Sequence, residues 1–386
     1  MQTSFTFSTV PHLVCEFGAS NRAGELISQY FPKVKHVLLV TDPGFIRTGL
    51  VAPVEAALRS AGLHVTIWSD VVADPPEAVV LQAASDAARY GIDMVIGLGG
   101  GSSMDVAKLI AVLVASGQTL TTMYGVGNVS GPRLPLLQIP TTAGTGSEVT
   151  PISIVTTGAT TKMGVVSPHL YADLVILDAG LTLGLPPMVT AATGIDAMVH
   201  AIEAYTSKIR KNPLSDMLAL QALRLLSANL LRVCADGSNQ QARQDMLLGA
   251  MLAGQAFSNA PVAAVHALAY PIGGIFHVPH GLSNALVLPH VLRFNASHAA
   301  PLYAELATIL APEATGSDAA RTEALIQSLE GIARQAGIET RLRQVGIAGS
   351  DLDRLADDAM LQTRLLTNNP RELSRADAHA IYCAAW

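Results

Sequence analysis

Charged side chains, aromatic side chains and cysteines are all scarce in this chain of 386 residues. Only 14% of the residues are charged, with a net charge of −6 at pH 7, while 50% are hydrophobic. This combination excludes an intrinsically disordered chain, which has high charge and little apolar surface. The basic residues form no block of five or six, so we expect no strong binding to nucleic acid.

Long hydrophobic runs are also missing from the sequence. The longest clean apolar runs, at 109–115 and around 285–288, fall short of the ~18–20 residues that a membrane-spanning helix needs. The first residues contain no Lys or Arg and no apolar core, so we expect no signal peptide. Three scattered cysteines, Cys15, Cys234 and Cys383, form no CxxC pair or disulfide framework, which favours a reducing cytoplasm.

Short aliphatic runs alternate with helical patterns through the first half of the chain. We predict strands at 34–41, 64–69, 93–97, 136–139 and 174–177, helices at 51–61, 77–90 and 104–116, and a hairpin of 152–156 with 162–167. Apolar strands separated by helices indicate a mostly parallel sheet with helices packed on it.

The pattern changes at Pro186 and Pro187. Beyond Thr190 we find no strand pattern, and we predict helices at 193–206, 214–233, 241–258, 263–270, 298–310, 321–335 and 350–360. The sequence therefore predicts an α/β domain over 1–185 and an all-α domain over 186–386.

A glycine-rich segment, GLGGGSSMD at 97–105, joins the third predicted strand to a helix. Glycines let the backbone approach a phosphate, and a helix N-terminus supplies N–H groups and partial positive charge. We expect Ser102 or Ser103 to cap the helix and to donate a hydrogen bond to a phosphate. Taken alone, the motif is explained equally well by an ordinary tight turn.

Two further polar features follow predicted strands. Asp42 follows the first strand, where a carboxylate accepts the hydroxyls of an adenosine ribose and repels a 2′-phosphate, favouring NAD over NADP. A turn begun by this residue before Pro43 and Gly44 is an equally good interpretation. The loop PTTAGTGSE at 140–148 follows a later strand, and Lys162 beyond it has the length to reach a ribose or phosphate.

An acid and several histidines in the second half have the spacing of a metal site. Asp196 and His200 are four residues apart on a predicted helix, so their side chains leave the same face. That pair alone is also typical of a helix surface. His266 and His280 follow in apolar surroundings, where neutral imidazoles favour metal binding. One carboxylate and three imidazoles suit Fe²⁺ or Zn²⁺ and do not suit Ca²⁺ or Mg²⁺.

Six segments spread over the chain resemble the iron-containing (group III) alcohol dehydrogenases. They are GGGSSMDVAK (99–108), IPTTAGTGSEVT (139–150), AATGIDAMVHAIEAY (191–205), VHALAYPIGG (265–274), VPHGLSNALVLPHVLRFN (278–295) and TNNPREL (367–373). The resemblance implies an α/β N-terminal Rossmann-like domain and an all-α C-terminal helical domain, an architecture like that of dehydroquinate synthase. It also implies reversible NAD(P)-linked oxidation of a primary alcohol to its aldehyde, by a homodimer or larger oligomer.

The resemblance also assigns site residues by matching positions. The family's four metal ligands match Asp196, His200, His266 and His280. Its dinucleotide contacts match Asp42, Gly99, Gly100, Gly101, Ser102, Asp105, Thr141, Thr142, Thr145, Lys162 and Leu181. An intact ligand set implies metal dependence, with Fe²⁺ expected and Zn²⁺ as the alternative.

The chain departs from the family at two places near these residues. Members often carry a second His four residues after the third ligand, thought to help proton exchange, and this chain has Tyr270 there. With Tyr270 in place of that His, we expect His277 or the nicotinamide ribose to carry the proton out. After the second strand the family's PNPT reads ADPP at 73–76, without the Asn that usually contacts the cofactor.

Three alternative functions share these motifs. A glycerol or polyol dehydrogenase and a hydroxyacid–oxoacid transhydrogenase are enzymes with the same sites. A scaffold that binds nucleotide and metal without turnover is the alternative outside enzymes. An assay of NADH absorbance with a panel of alcohols and aldehydes separates enzyme from scaffold, and cofactor exchange reveals a transhydrogenase.

Overall fold

The described residues of the computed structural model, 4–158 and 160–386, divide into two units that differ in secondary structure. The first, named the sheet unit, consists of Thr9–Thr142 and Gly146–Gly184. The second, named the helical unit, consists of Ala143–Thr145, Leu185–Trp386 and the described residues up to Ser8. The chain leaves the sheet unit after Gly184, and the domain limits of 1–185 and 186–386 stay a prediction.

The sheet unit contains strands and helices in alternation. Its strands are β1 (His12–Cys15), β2 (His36–Val40), β3 (His64–Trp68), β4 (Met94–Gly99), β5 (Gly125–Val126), β6 (Leu136–Pro140), β7 (Ile152–Thr157), β8 (Thr161–Val166) and β9 (Leu174–Leu177). Its helices are α1 (Ala23–Tyr30), α2 (Pro43–Arg47), α3 (Val51–Ser60), α4 (Glu77–Arg89) and α5 (Gly101–Ser116). The predicted strands and helices of this half are all present, while β1, β5, α1 and α2 were not predicted.

The main sheet is parallel throughout, with the strand order β1-β9-β6-β4-β2-β3. In its centre Leu39 lies opposite Ile96, which lies opposite Leu137, and all three side chains are buried. Such apolar runs form the inner strands of a parallel sheet because both faces are covered. Since the strands are parallel, β2, β4 and β6 end at one edge, and the polar residues that follow them come together there.

The predicted hairpin is confirmed as part of a small second sheet. β7 and β8 are antiparallel, with Ile154 opposite Gly164, and β5 joins the outer side of β8. Buried Lys108 on α5 donates to Ser147 Oγ at 2.7 Å and to the carbonyl of Ile152 at 2.6 Å. This ammonium therefore anchors the start of β7 to α5.

The helical unit contains nine α-helices among its described residues. They are α6 (Pro187–Thr206), α7 (Pro213–Ala235), α8 (Gln240–Asn259), α9 (Ala264–Phe276), α10 (His280–Leu310), α11 (Asp318–Gln335), α12 (Leu352–Ala359), α13 (Thr363–Leu366) and α14 (Arg375–Ala385). Asn212 caps α7 by accepting the N–H of Ser215 at 2.9 Å, with Pro213 in the first turn. α6 packs against α7, α8 and α10 and is the central helix of the unit.

The prediction for 280–310 was wrong, because only 298–310 was predicted as helix and the whole segment is one helix. α10 contains Pro289 and Pro301, each of which removes one backbone hydrogen bond. The buried face of α10 packs on α6 and α11, and this tertiary contact outweighs the local cost of the prolines. The end of the chain also forms an unpredicted helix, α14, which Ser374 and Asp377 cap reciprocally.

In the described part of the chain one helix, α7, is long and apolar enough to cross a membrane by length and composition alone. Its most apolar window is 39% buried inside the protein. The exposed positions include Arg224 and Arg232, while Ala222, Leu223 and Leu226 are buried. A charged outer face and an apolar inner face are typical of a surface helix that packs its apolar face against the protein core.

Candidate metal centre and dinucleotide edge

Three helices bring four predicted ligands to one point in the helical unit. Asp196 and His200 lie one turn apart on α6, His266 lies in the first turn of α9, and His280 is the first residue of α10. Asp196 Oδ1 lies 3.9 Å from His200 Nε2, 3.8 Å from His266 Nε2 and 3.7 Å from His280 Nε2. All four ligand atoms fall within 4.8 Å of one another.

The separations and the charges both suit a divalent cation. Ligands bound tetrahedrally at ~2.1 Å stand ~3.4 Å apart, close to the separations observed for Asp196. Burial lowers the pKa of His200 to about 3, so this imidazole is neutral near pH 7. Burial opposes ionisation of Asp196, but the three imidazoles and the Asn284 amide outweigh it and lower the pKa of that carboxyl. The donor set therefore fits Fe²⁺ or Zn²⁺.

Close helix packing next to the ligands depends on glycine. A Cβ atom built on Gly281 would lie 2.2 Å from the carbonyl oxygen of Ala192 and 3.3 Å from Asp196 Cβ. A Cβ atom on Gly194 would lie 2.5 Å from Leu230 Cδ1. These two glycines let α10 and α7 approach α6 on either side of the segment that carries Asp196.

The ring of His200 is held by two aromatic neighbours. It stacks on Phe257 from α8 with ring centroids 4.4 Å apart and planes inclined at 23°. It also stacks on the ring of His266 at 4.7 Å and 22°. The side chains of Asp196, His200 and His266 are at most 5% exposed, whereas that of His280 is 39% exposed. The cluster is therefore open to solvent at His280.

Two residues around the cluster were missed in the sequence. Buried Glu203 accepts a hydrogen bond from His266 Nδ1 at 2.6 Å. Buried Asn284 donates to Asp196 Oδ1 at 2.6 Å, and its Nδ2 also lies 3.2 Å from His266 Nε2. The signal was present, because Glu203 extends the Asp196–His200 stripe by one helical turn and Asn284 lies one turn after His280.

At the carboxyl edge of the main sheet, several predicted cofactor residues come together. Asp42 Oδ1 accepts the N–H of Phe45 at 2.9 Å, so the carboxylate caps α2 and the turn interpretation is correct. Its Oδ2 lies 3.6 Å from the position of a Cβ atom on Gly99, and Thr142 packs against Gly100. Thr141 continues β6 by donating its N–H to the carbonyl of Gly99. This edge therefore combines a carboxylate, bare backbone and hydroxyl groups.

The expected cap of the following helix was wrong. α5 begins at Gly101, three residues earlier than predicted, and Gly100 is its N-cap without a side-chain hydrogen bond. Neither Ser102 nor Ser103 can cap a helix in whose first turn it lies. The Ser103 side chain instead fills the space that a Cβ atom on Gly99 would need.

Three other predicted cofactor residues already contact other parts of the protein, two through polar groups and one through apolar packing. Asp105 accepts hydrogen bonds from Ser147 Oγ at 2.5 Å and from the N–H of Ile154 at 2.9 Å. Lys162 Nζ lies 2.7 Å from Asp74 Oδ1. Leu181 is buried in the apolar core of the main sheet. The cofactor roles of these residues, and that of Thr145 in the helical unit, stay predictions.

Of the two predicted catalytic residues, Tyr270 lies beside the metal cluster. Its ring centroid lies 5.9 Å from that of His280. His277 is exposed and ends α9 in the left-handed conformation, with φ of 56°. Their part in proton transfer stays a prediction.

Comparisons with known proteins cover both units. Residues 11–179 match the family model "Iron-containing alcohol dehydrogenase", and residues 190–386 match "Fe-containing alcohol dehydrogenase family, C-terminal". Long-chain-alcohol dehydrogenase 1 of Geobacillus thermodenitrificans is 43% identical over 369 residues, covering 93% of each chain. A crystal structure of 1,3-propanediol oxidoreductase matches with a TM-score of 0.95 and 34% identity, covering 99% of this chain and 100% of that one. Sulfoacetaldehyde reductase from Bifidobacterium kashiwanohense, solved in complex with NAD⁺, matches with a TM-score of 0.86 and 25% identity over 99% of each chain.

Proposed function

Because this chain belongs to the iron-containing alcohol dehydrogenase family, we propose that its Asp–His₃ cluster is the catalytic metal site. The protein is a metal-dependent oxidoreductase that interconverts an alcohol and an aldehyde with a nicotinamide cofactor. The convergence of Asp196 and three histidines from three helices carries the site proposal. A bound cation supplies Lewis-acid polarisation of the substrate oxygen, and the nicotinamide exchanges the hydride.

The protein residues prepare this site before any ligand enters. Asp196 supplies one negative charge, and the neutral ring of His200 presents its Nε2 lone pair to the same point. We propose Fe²⁺ as the resident ion and Zn²⁺ as its alternative, because both accept this donor set. The substrate, a primary alcohol or its aldehyde, enters beside His280, the most exposed of the four ligands.

We propose NAD as the cofactor in preference to NADP. The support is Asp42, a carboxylate next to the glycine-rich turn, where a 2′-phosphate would meet a like charge. The relative from Bifidobacterium kashiwanohense was solved with NAD⁺. Gly99, Gly100, Gly101, Ser102, Thr141, Thr142 and Thr145 complete the proposed cofactor site with Asp105, Lys162 and Leu181.

A homodimer or larger oligomer in the cytoplasm is the proposed state of the protein. The family resemblance supports the oligomer. No disulfide joins Cys15, Cys234 or Cys383 within the described chain, which agrees with a reducing compartment.

The metal-site proposal is tested by following NADH absorbance with a panel of alcohols and aldehydes. We expect His280→Ala to retain NAD binding while losing metal and turnover by more than ~100-fold, since loss of an outer partner alone costs ~10–100-fold. His290→Ala is the matched control, because His290 lies on the same helix outside the cluster and its loss leaves the ligands in place. Full activity of the parent enzyme after exhaustive chelation would refute the proposal.

We propose His277, with Tyr270 beside the ligands, as the route of the proton between substrate and solvent. The support is that His277 is exposed and lies three residues before the ligand His280 in the chain. We expect His277→Ala to change the pH–rate profile for alcohol oxidation, because the variant removes the side chain proposed to carry the proton. An unchanged profile would leave the ribose of the cofactor as the proton carrier.

A further inference from the structure

Both carboxylate oxygens of Glu203 are occupied by the first turn of α9. Oε1 accepts the backbone N–H of Val265 at 2.7 Å, and Oε2 accepts a hydrogen bond from His266 Nδ1 at 2.6 Å. The side chain is only 4% exposed, so water does not compete for these two bonds. One buried carboxylate therefore caps a helix N-terminus and holds the imidazole next to that cap.

The hydrogen bond to Glu203 determines which nitrogen of His266 carries the proton. A carboxylate only accepts, so His266 Nδ1 carries the hydrogen and Nε2 keeps its lone pair. Nε2 is the atom that lies 3.8 Å from Asp196 Oδ1 in the cluster. The tautomer set by Glu203 is thus the one that can bind a cation at this point.

We propose that Glu203 is a positioning residue for His266, fixing the tautomer and ring orientation that metal binding needs; this rests on the proposed metal site. Outer carboxylates of this kind also make the imidazole a stronger donor, and their loss costs ~10–100-fold in metal affinity. Glu203 does not touch the ion or the substrate. It acts on the ion only through His266.

Glu203→Gln tests this role because glutamine keeps the size of the side chain but replaces one of the two acceptor oxygens by an NH₂ donor. If its oxygen faces Val265, its amide donates to His266 Nδ1 and forces the proton onto Nε2. If its oxygen faces His266, its amide meets the N–H of Val265, donor against donor. Neither arrangement reproduces both bonds that the carboxylate makes.

The experiment compares Glu203→Gln with Glu305→Gln in Zn²⁺ titrations against a chromophoric chelator. Glu305 on α10 accepts a hydrogen bond from the hydroxyl of Tyr205, which lies two residues after Glu203 on α6. Its partner is thus Tyr205 and not a metal ligand, which makes it a suitable control. We expect Zn²⁺ affinity to fall ~10–100-fold in Glu203→Gln and to stay within about twofold in Glu305→Gln. Equal affinity of Glu203→Gln and the parent protein would overturn the proposal.

Two further readouts separate positioning from folding. The Co²⁺ absorption bands of folded Glu203→Gln should shift, because the donor strength of His266 changes, while a purely structural role would leave them unaltered. If Glu203→Gln does not fold, ¹⁵N spectra of the metal-free parent protein decide: an Nδ1–H tautomer of His266 supports the proposal, and an Nε2–H tautomer overturns it. A parent protein that binds no metal would instead refute the proposed function, so the two failures are distinct.

Discussion

Asp42 has two carboxylate oxygens with different surroundings. Oδ1 caps α2, whereas Oδ2 lies towards the glycine-rich turn that follows β4. The two interpretations of this residue in the sequence, a turn residue and a ribose-binding acid, are therefore compatible. The structure supports the role in the turn, and the role in ribose binding depends on Oδ2, the oxygen that lies towards Gly99.

Replacing Asp42 by Ser should change the choice of cofactor without disturbing α2. Serine is as good an N-cap as aspartate, so the helix start is retained. Removing the negative charge removes its repulsion of a 2′-phosphate, and we expect the ratio of kcat/KM for NADP over NAD to rise at least ~tenfold, or ~1.4 kcal/mol. Steady-state kinetics with both cofactors measure this ratio. Asp70→Ser, at an exposed acid just beyond β3, serves as control and should leave it unchanged.

The four metal ligands were named from the sequence, whereas their partners Glu203 and Asn284 were missed although both continue the helical spacing of the ligands. Asp196 and His200 share a helical face by spacing, His266 and His280 followed from their apolar surroundings, and the family resemblance matched all four to one ligand set. Glu203 is an acid in a helix, a residue type that is usually solvated, and only the position of α9 shows that both its oxygens are used. The sequence contains the residue, but the hydrogen bonds exist only after α6 and α9 have packed.

At the scale of secondary structure, the close approach of α10 to α6 beside Asp196 depends on glycine at position 281, which has no side chain. A methyl group on Gly281 would overlap backbone atoms of Ala192, which cannot move aside as a flexible side chain does. We expect Gly281→Ala to lower the free energy of unfolding by about 1–3 kcal/mol and to weaken metal binding, because the two helices must separate. Denaturant unfolding and metal titration measure the two effects.

The matched control for that change is Gly331→Ala in the interior of α11. The nearest atom to a new Cβ atom there is the end of the Gln335 side chain at 3.8 Å. Alanine in a helix interior is favoured over glycine by about 0.5–1 kcal/mol, so we expect this variant to be slightly more stable. If both variants behaved alike, close packing at Gly281 would not be the cause.

Strands and helices were predicted best where the hydrophobic pattern and the flanking turn residues indicated the same limits. β2, β3, β6 and β9 are short apolar runs next to turn residues, and all four were found within about two residues of their observed limits. α10 failed because proline inside a helix is locally unfavourable, and only its packing on α6 and α11 outweighs that cost. β1 was missed because its four residues begin and end with exposed His12 and Cys15, whereas the four residues of β9 are all apolar and buried.

For the molecule as a whole, one buried carboxyl of the sheet unit couples stability to pH. Burial raises the pKa of Glu148 to about 7 from an ordinary value of 4.5, although the nearby Lys108 ammonium opposes the shift. The folded protein therefore keeps this proton to a higher pH than the unfolded chain. It follows that the free energy of unfolding decreases as pH rises from about 4.5 to about 7.

We expect Glu148→Gln to remove that part of the pH dependence, since glutamine has no proton to lose. The difference in the free energy of unfolding between the variant and the parent protein should grow by roughly 3 kcal/mol from pH 4 to pH 8, at ~1.4 kcal/mol per pKa unit. Urea unfolding at several pH values measures this difference. A difference that stays constant with pH would show that Glu148 titrates alike in the folded and unfolded chains.

The stack of Phe257, His200 and His266 has an entropic consequence for ion binding. A side chain that must become ordered when a ligand arrives costs about 0.5–1.5 kcal/mol of conformational freedom. Both histidine rings are already immobilised by packing, His200 between planes inclined at only 22–23° and His266 additionally by Glu203. That freedom is lost during folding, together with the burial of the apolar ring of Phe257. Asp196 is buried and held by Asn284, so a cation meets three fixed ligands, and its arrival has to order only the more exposed His280.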